Sequence, residues 1–355
     1  MSFNYREIPK IDLHHHFDGS FTAEELYAEA QRRKLPQGDL TFEEFSRRCR
    51  VQANCRTLTD FLAVFSFFYE IAQDLKFQRQ AAESLVRRLK EDGLVYAETR
   101  FAPHLLVPPG CHLEETVEAV LTGLREGCAH ENFTVNLILC IMRGVPVEQG
   151  WEVLKLVQKY RGHGVVGIDL AGDESRYRGD EYIRVFQEAA AQGISITVHA
   201  GEGAGAVSVD FAIKQLKAQR IGHGIRSKES EEVMHILQER QIPLEICLTS
   251  NIQTGTVESL KEHPIMDFLN RGLCVTLNTD DPSVSGITLS HEWQIAHETY
   301  GLSLVQMEKL LLNSVYAAFC SQEEKCQLEA KIKDYFGSLG KVNSLRKAPL
   351  SSPKE

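Results

Sequence analysis

Several things are missing from this chain of 355 residues. Its nine cysteines are odd in number and include no CxxC pair. A long chain with that usage has no disulfide framework, and reads as a reduced, cytosolic protein. No apolar run approaches the roughly 18–20 residues of a membrane span. The opening MSFNYREIPK carries charge early and lacks an apolar core, so no secretory leader is expected. No long Lys/Arg cluster occurs and the formal net charge is −10, which excludes the broad positive field of a nucleic-acid binder. A small neutral or cationic substrate is easier to accommodate than a polyanion. No GxGxxG follows the first apolar run, which argues against an open dinucleotide-binding sheet.

What is present is a rhythm. Eight short apolar runs end in polar residues or glycine: residues 10–16, 93–103, 134–144, 164–174, 194–202, 220–224, 242–251 and 272–281. Continuous β-branched and apolar runs suit parallel strands buried on both faces. Amphipathic helical patterns alternate with them at 112–131, 150–162, 180–193, 208–219 and 231–241. Eight such units predict an α/β fold, a closed (β/α)8 TIM barrel. We expect a single catalytic domain over 1–340 and a loose, Ser/Pro-containing tail over 341–355. About 75 residues separate the first two strands, and 20–92 is expected to form a helical lid over the mouth. Within it Leu58, Phe61, Leu62 and Phe65 recur at i, i+3, i+4, i+7. That stripe fits plain helix packing, or the apolar wall of a ligand pocket.

The polar oddities fall at strand ends, where barrel enzymes carry their chemistry. Strand one ends in His14, His15 and His16. Side chains two apart share a face, so His14 and His16 point into the mouth and His15 points away. Asp18 follows. Strand five ends VHAGE, with His199 and Glu202. Strand six is RIGHG, with His223. Strand eight ends NTDD, with Asp280 and Asp281. Each alone has a bland reading: a chance HxH, a core histidine, a capping aspartate. Their placement at the same end of four strands favours a site. His14, His16, His199 and Asp280 make a three-nitrogen, one-carboxylate set for a zinc-type ion, with a position left for water. Glu202, His223 and Asp281 remain as a proton donor, a histidine beside the nucleophile and a carboxyl aimed at substrate. Strand four ends DLAGDE without a lysine to bridge two metals, so one ion is expected. The residues thus read as metal-assisted hydrolysis of a small molecule.

Taken in order, KIDLHHHFDGS, VYAETRFAP, GIDLAGDE, TVHAGE, RIGHG, LEICLTSNIQT and LNTDDP resemble the adenosine deaminase family. The motifs run from about residue 10 to 283. The resemblance implies that His14, His16, His199 and Asp280 hold one Zn2+. It implies that Glu202 protonates purine N1, that His223 orients or deprotonates the attacking water, and that Asp280 also holds it. Asp18 would bind the sugar 5′-hydroxyl, with His16 nearby. The Gly172 backbone and Asp281 would bind the purine, and Leu58, Phe61, Leu62 and Phe65 would cover it. The substrate implied is a small purine nucleoside, adenosine or 2′-deoxyadenosine, with no nucleic-acid or membrane partner. Deaminases of aminofutalosine or of N6-modified AMP are the nearest alternatives, and a nucleoside-binding barrel without turnover is a more distant one. Phe17 stands where the family often has leucine.

Overall fold

The computed structural model describes residues 3–129 and 133–347. Eight parallel strands follow one another around a ring in chain order: β1 (Lys10–His16), β2 (Leu94–Phe101), β3 (Thr134–Met142), β4 (Val165–Ala171), β5 (Ser195–Ala200), β6 (Arg220–His223), β7 (Leu244–Ile246) and β8 (Val275–Leu277). All eight expected strands are present, and the fold is a nearly closed (β/α)8 TIM barrel. The last junction is made by single bonds, not a ladder. Asp280 N donates to His14 O at 2.8 Å, His16 N to Asp280 O at 2.7 Å, and Leu13 N to the side chain of Asn278 at 2.9 Å.

Strand residues are buried on both faces because side chains inside the barrel pack on one another and helices cover the outside. The helix Leu75–Glu91 illustrates the outer layer. Phe77, Ala81, Ala82, Leu85, Val86 and Leu89 form its inner face, spaced by three and four. Asp74 starts it, its carboxylate accepting the Phe77 N–H at 2.9 Å. Burying one such leucine or phenylalanine contributes about 1.5–3 kcal/mol.

The 75-residue insertion is helical, as expected, but not continuous. Thr22 and Glu25 form a reciprocal cap that opens the helix Ala23–Arg33. The stretch that carries the Leu58–Phe65 stripe breaks into Leu58–Ala63, a 3-10 turn Val64–Phe67, and Tyr69–Ala72. Aromatic and β-branched residues crowd Val64 to Tyr69 and favour helix weakly; their rings instead turn inward onto one another (Phe65 and Phe68 at 5.3 Å). At the other end, the final helix runs Gln322–Lys347 and so passes residue 341. Residues 348–355 of the expected tail lie outside the described residues. Among the described residues no helix is long and apolar enough to cross a membrane.

Candidate active site

Strand alternation splits the histidine run as expected. His14 lies at 0% exposure beneath the mouth and His16 opens onto it. His15 turns outward, its Nδ1 3.1 Å from Thr99 Oγ1 on β2. The ends of β5, β6 and β8 bring the partners. His16 Nε2 lies 3.2 Å from His199 Nε2 and 3.3 Å from Asp280 Oδ1, and His14 Nε2 lies 3.2 Å from the same oxygen. Two groups of ligand atoms gather within 4.8 Å of one another: His14, His199, His223 and Asp280, and His16, Asp280 and Asp281.

These separations suit a cation. Four ligands at about 2.0–2.1 Å around a tetrahedral ion stand roughly 3.3 Å apart. Among the described residues, the buried His14 Nε2 has no hydrogen-bond partner. A lone pair left in that way fits metal ligation better than solvation. The residues present therefore fit a divalent ion.

Two of these side chains sit on unusual backbone. His223 has φ 61° and Asp280 φ 68°, in the left-handed region. That conformation costs a non-glycine residue on the order of 1–3 kcal/mol and persists only where surroundings enforce it. At Asp280 the enforcement is the pair of backbone bonds to β1, together with Ser250 Oγ, which donates to Oδ2 at 2.6 Å. Next to His223, Gly222 has to lack a side chain: a Cβ there would stand 2.9 Å from the His14 ring.

Burial and neighbouring charge bias the protons. Burial lifts the Glu202 carboxyl well above the usual range, and nearby Asp280 and Glu174 add to it. Burial, then Asp280, Asp18 and Glu202, does the same to Asp281. Burial holds His16 and His223 well below the ordinary imidazole value, so both are neutral. Burial opposes ionisation of Asp280, but the His14 ring 3.2 Å from its Oδ1, then His223 and His16, outweigh it and hold its carboxyl well below the usual range. Burial thus favours the protonated form at Glu202 and Asp281, and the neighbouring histidines favour the ionised form at Asp280.

All of this opens into one cleft at the mouth of the barrel. His16, Asp18, Gly172, His199, Glu202, His223, Asp280 and Asp281 line its polar side, and Leu58, Phe61, Leu62 and Phe65 its apolar side. Every site residue expected from the sequence lines it except His14, which lies behind. Gly172, at φ 99°, brings its backbone to the surface of the cleft. Among the described residues none of those lining the cleft is Lys or Arg.

Sequence reasoning missed the groups that hold the site in place. Glu245 Oε2 accepts from His14 Nδ1 at 2.7 Å, and Asp169 from His199 Nδ1 at 3.0 Å. Asn251 bonds His223 Nδ1 at 3.1 Å. Glu174, of the GDE motif, accepts the N–H groups of Gly201, Glu202 and Ala204 at 2.7, 3.0 and 3.0 Å and fixes the loop after β5. Tyr69 also lines the cleft and donates to Asp18 Oδ2 at 3.3 Å. A signal existed for two of them. Asp169 and Glu245 are lone charges inside apolar runs, GIDLAG and LEIC, where only a paired carboxylate is tolerated.

The fold and the site together define a class: (β/α)8 barrels with a buried histidine–carboxylate group, able to hold a metal, at the C-terminal ends of the strands. The match to known proteins is more specific. Residues 9–335 match the family described as Adenosine deaminase, and the chain belongs to that family. It is 37% identical to "Adenosine deaminase" of Clostridium botulinum (strain Langeland) over 94% of this chain and 100% of that one. It is 39% identical to "Adenosine deaminase" of Haemophilus ducreyi, over 93% and 97% respectively. Similar solved structures include an adenine deaminase from Arthrobacter aurescens, with TM-score 0.86, 26% identity and coverage of 93% and 99%. An N6-mAMP deaminase from Arabidopsis has TM-score 0.82 and 29% identity over 93% and 99%.

Proposed function

We propose that this chain deaminates adenosine and 2′-deoxyadenosine hydrolytically, giving inosine or 2′-deoxyinosine and ammonia, in cytosolic purine salvage. The observation that carries this reading is the one cleft in which His16, His199, His223, Asp280, Glu202 and Asp281 face the apolar wall of Leu58, Phe61, Leu62 and Phe65. His14, His16, His199 and Asp280 would hold one Zn2+. When bound, zinc lowers the pKa of water to about 7 and so makes hydroxide available near neutrality.

The chain's own residues do the rest. His223, neutral and steadied by Asn251, takes up or orients the proton of the attacking water. Glu202, protonated and with Oε1 unpartnered among the described residues, donates to purine N1 as the water oxygen adds at C6. His223 then passes the water-derived proton to the 6-amino group, the C6–N6 pair leaves with ammonia as C6=O forms, N1 keeps its proton, and the remaining water proton restores Glu202. Protonated Asp281 donates to N7, the Gly172 backbone meets the purine edge, and the Leu58–Phe65 stripe excludes water from its face. Asp18 accepts the sugar 5′-hydroxyl.

The rival substrates differ at that last position. The Arabidopsis relatives include structures complexed with GMP and IMP, which carry a 5′-phosphate. Here the cleft offers no Lys or Arg among the described residues, and the Asp18 carboxyl lies within it. That environment suits a hydroxyl and disfavours a phosphate. Steady-state ammonia release from adenosine, AMP and aminofutalosine tests the assignment. The highest kcat/KM is expected for adenosine; a higher value for either of the others refutes it.

A further inference from the structure

The motif VYAETRFAP has no part in the chemistry above, yet its charges lie directly beneath the site. Five side chains on four strands form a chain of alternating sign: Glu98 and Arg100 of β2, Asp169 of β4, Arg220 of β6 and Glu245 of β7. All are at most 1% exposed. Glu98 Oε2 meets Arg220 Nη1 at 2.7 Å, and Arg220 Nε meets Glu245 Oε1 at 2.6 Å. Glu245 Oε2 meets Arg100 Nη2 at 3.0 Å, and Arg100 Nη1 meets Asp169 Oδ2 at 3.0 Å.

The two carboxylates that flank Arg100 are the ones that accept from the histidines. Glu245 receives the Nδ1–H of His14 and Asp169 that of His199. Among the described residues, Arg100 is the side chain that joins both arms. Its Nη2 also donates to Leu13 O at 2.5 Å, one residue before His14. An ionised carboxylate on Nδ1 fixes the tautomer and turns the Nε2 lone pair toward the cleft. Among the described residues, loss of Arg100 leaves Asp169 Oδ2, apart from His199 itself, with the weak donor Cys140 Sγ at 3.6 Å and leaves Glu245 anchored through Oε1 to Arg220 and Thr197, with nothing joining the two carboxylates. A planar guanidinium spans both, and an ammonium cannot copy that fork.

We propose that Arg100 is a positioning residue, which ties Asp169 to Glu245 so that His199 and His14 present their Nε2 atoms as a matched pair to a divalent ion. The proposal rests on the metal reading above. Arg100 itself touches neither ion nor substrate.

The test is metal affinity of the purified, zinc-loaded protein, read by competition with a chromophoric chelator. Arg100→Lys keeps the charge and loses the fork; its affinity is expected to fall about 10–100-fold, the range typical of groups that orient metal ligands. Cobalt substituted for zinc is expected to show an altered visible spectrum in the same variant. Arg220→Lys is the matched control: equally buried, but reaching Glu245 and not Asp169. Its loss is expected to stay under about threefold. A folded Arg100→Lys variant whose affinity is unchanged overturns the proposal, as does an equal loss in both variants. Should Arg100→Lys fail to fold, Arg100→Met combined with Asp169→Asn removes one charge of each sign. That double variant must bind zinc about tenfold more weakly than Asp169→Asn alone, because the Glu245–His14 arm is untied as well. Equal affinities overturn the proposal. A wild-type chain that binds no divalent ion would instead sink the metal reading.

Discussion

The polar floor of the cleft and its apolar wall are secured in different ways. On the floor, His14, His199, His223 and Asp280 each have a specific partner on their far side: Glu245, Asp169, Asn251 and Ser250. The wall, Leu58 to Phe65, stands on a six-residue helix and a 3-10 turn. Its links to the barrel are few, with Thr59 Oγ1 donating to Asp173 Oδ2 at 2.7 Å. The rest is ring packing, such as Phe61 on Phe65 at 6.3 Å. A floor built from directional bonds tolerates no change of geometry. A wall built from volume tolerates change in proportion to the volume lost.

Substitutions can break or sharpen that contrast. The largest effect is expected on the floor: His14→Ala or His16→Ala abolishes metal binding, and kcat falls more than about a thousandfold. Metal analysis should give one ion per wild-type chain and none in these variants. Glu202→Gln comes next, with metal retained and kcat reduced about 10²- to 10⁴-fold through loss of the proton donor. Near-normal turnover would remove Glu202 from that role. On the wall, Phe61→Ala is expected to raise KM about tenfold while metal content stays at one ion. The same variant should lose about 3–5 kcal/mol of stability, because Phe61 is 1% exposed and leaves a void. If it cut kcat as severely as Glu202→Gln, the division between floor and wall would collapse. The smallest effect belongs to His15→Ala. It keeps its metal and turnover, and its cost, the bond to Thr99 and the packing of a buried ring, shows only in a denaturant melt.

The strands were legible because each is a bounded apolar run, and the floor because its histidines and carboxylates close those runs. Where the runs overshoot, the backbone turns early to aim a side chain. Residues 242–251 read as one strand, but β7 ends at Ile246 and a helix Leu248–Gln253 begins. That turn carries Ser250 to Asp280 and Asn251 to His223. Periodicity has no means of foreseeing it. The cleft wall was half legible: the i, i+3, i+4, i+7 stripe placed Leu58, Phe61, Leu62 and Phe65 on one face, and packing and ligand readings shared that pattern equally. Arg100 was hidden for a different reason. A charge in the middle of a strand says that a partner exists, but not which of seven other strands supplies it.

The junction between β8 and β1 bears on how this molecule comes into being. The two bonds that seal the ring use the backbone of Asp280, joining residue 280 to residues 14 and 16 across almost the whole length of the chain. Contacts of such high sequence separation are costly to form early in folding. The act that finishes the barrel is then also the act that sets the Asp280 carboxylate among the histidines. A chain that has closed has acquired its site in the same motion, and one that stalls before closure has neither. Recovery of tight metal binding during refolding should therefore track the last phase of barrel formation and not lag behind it.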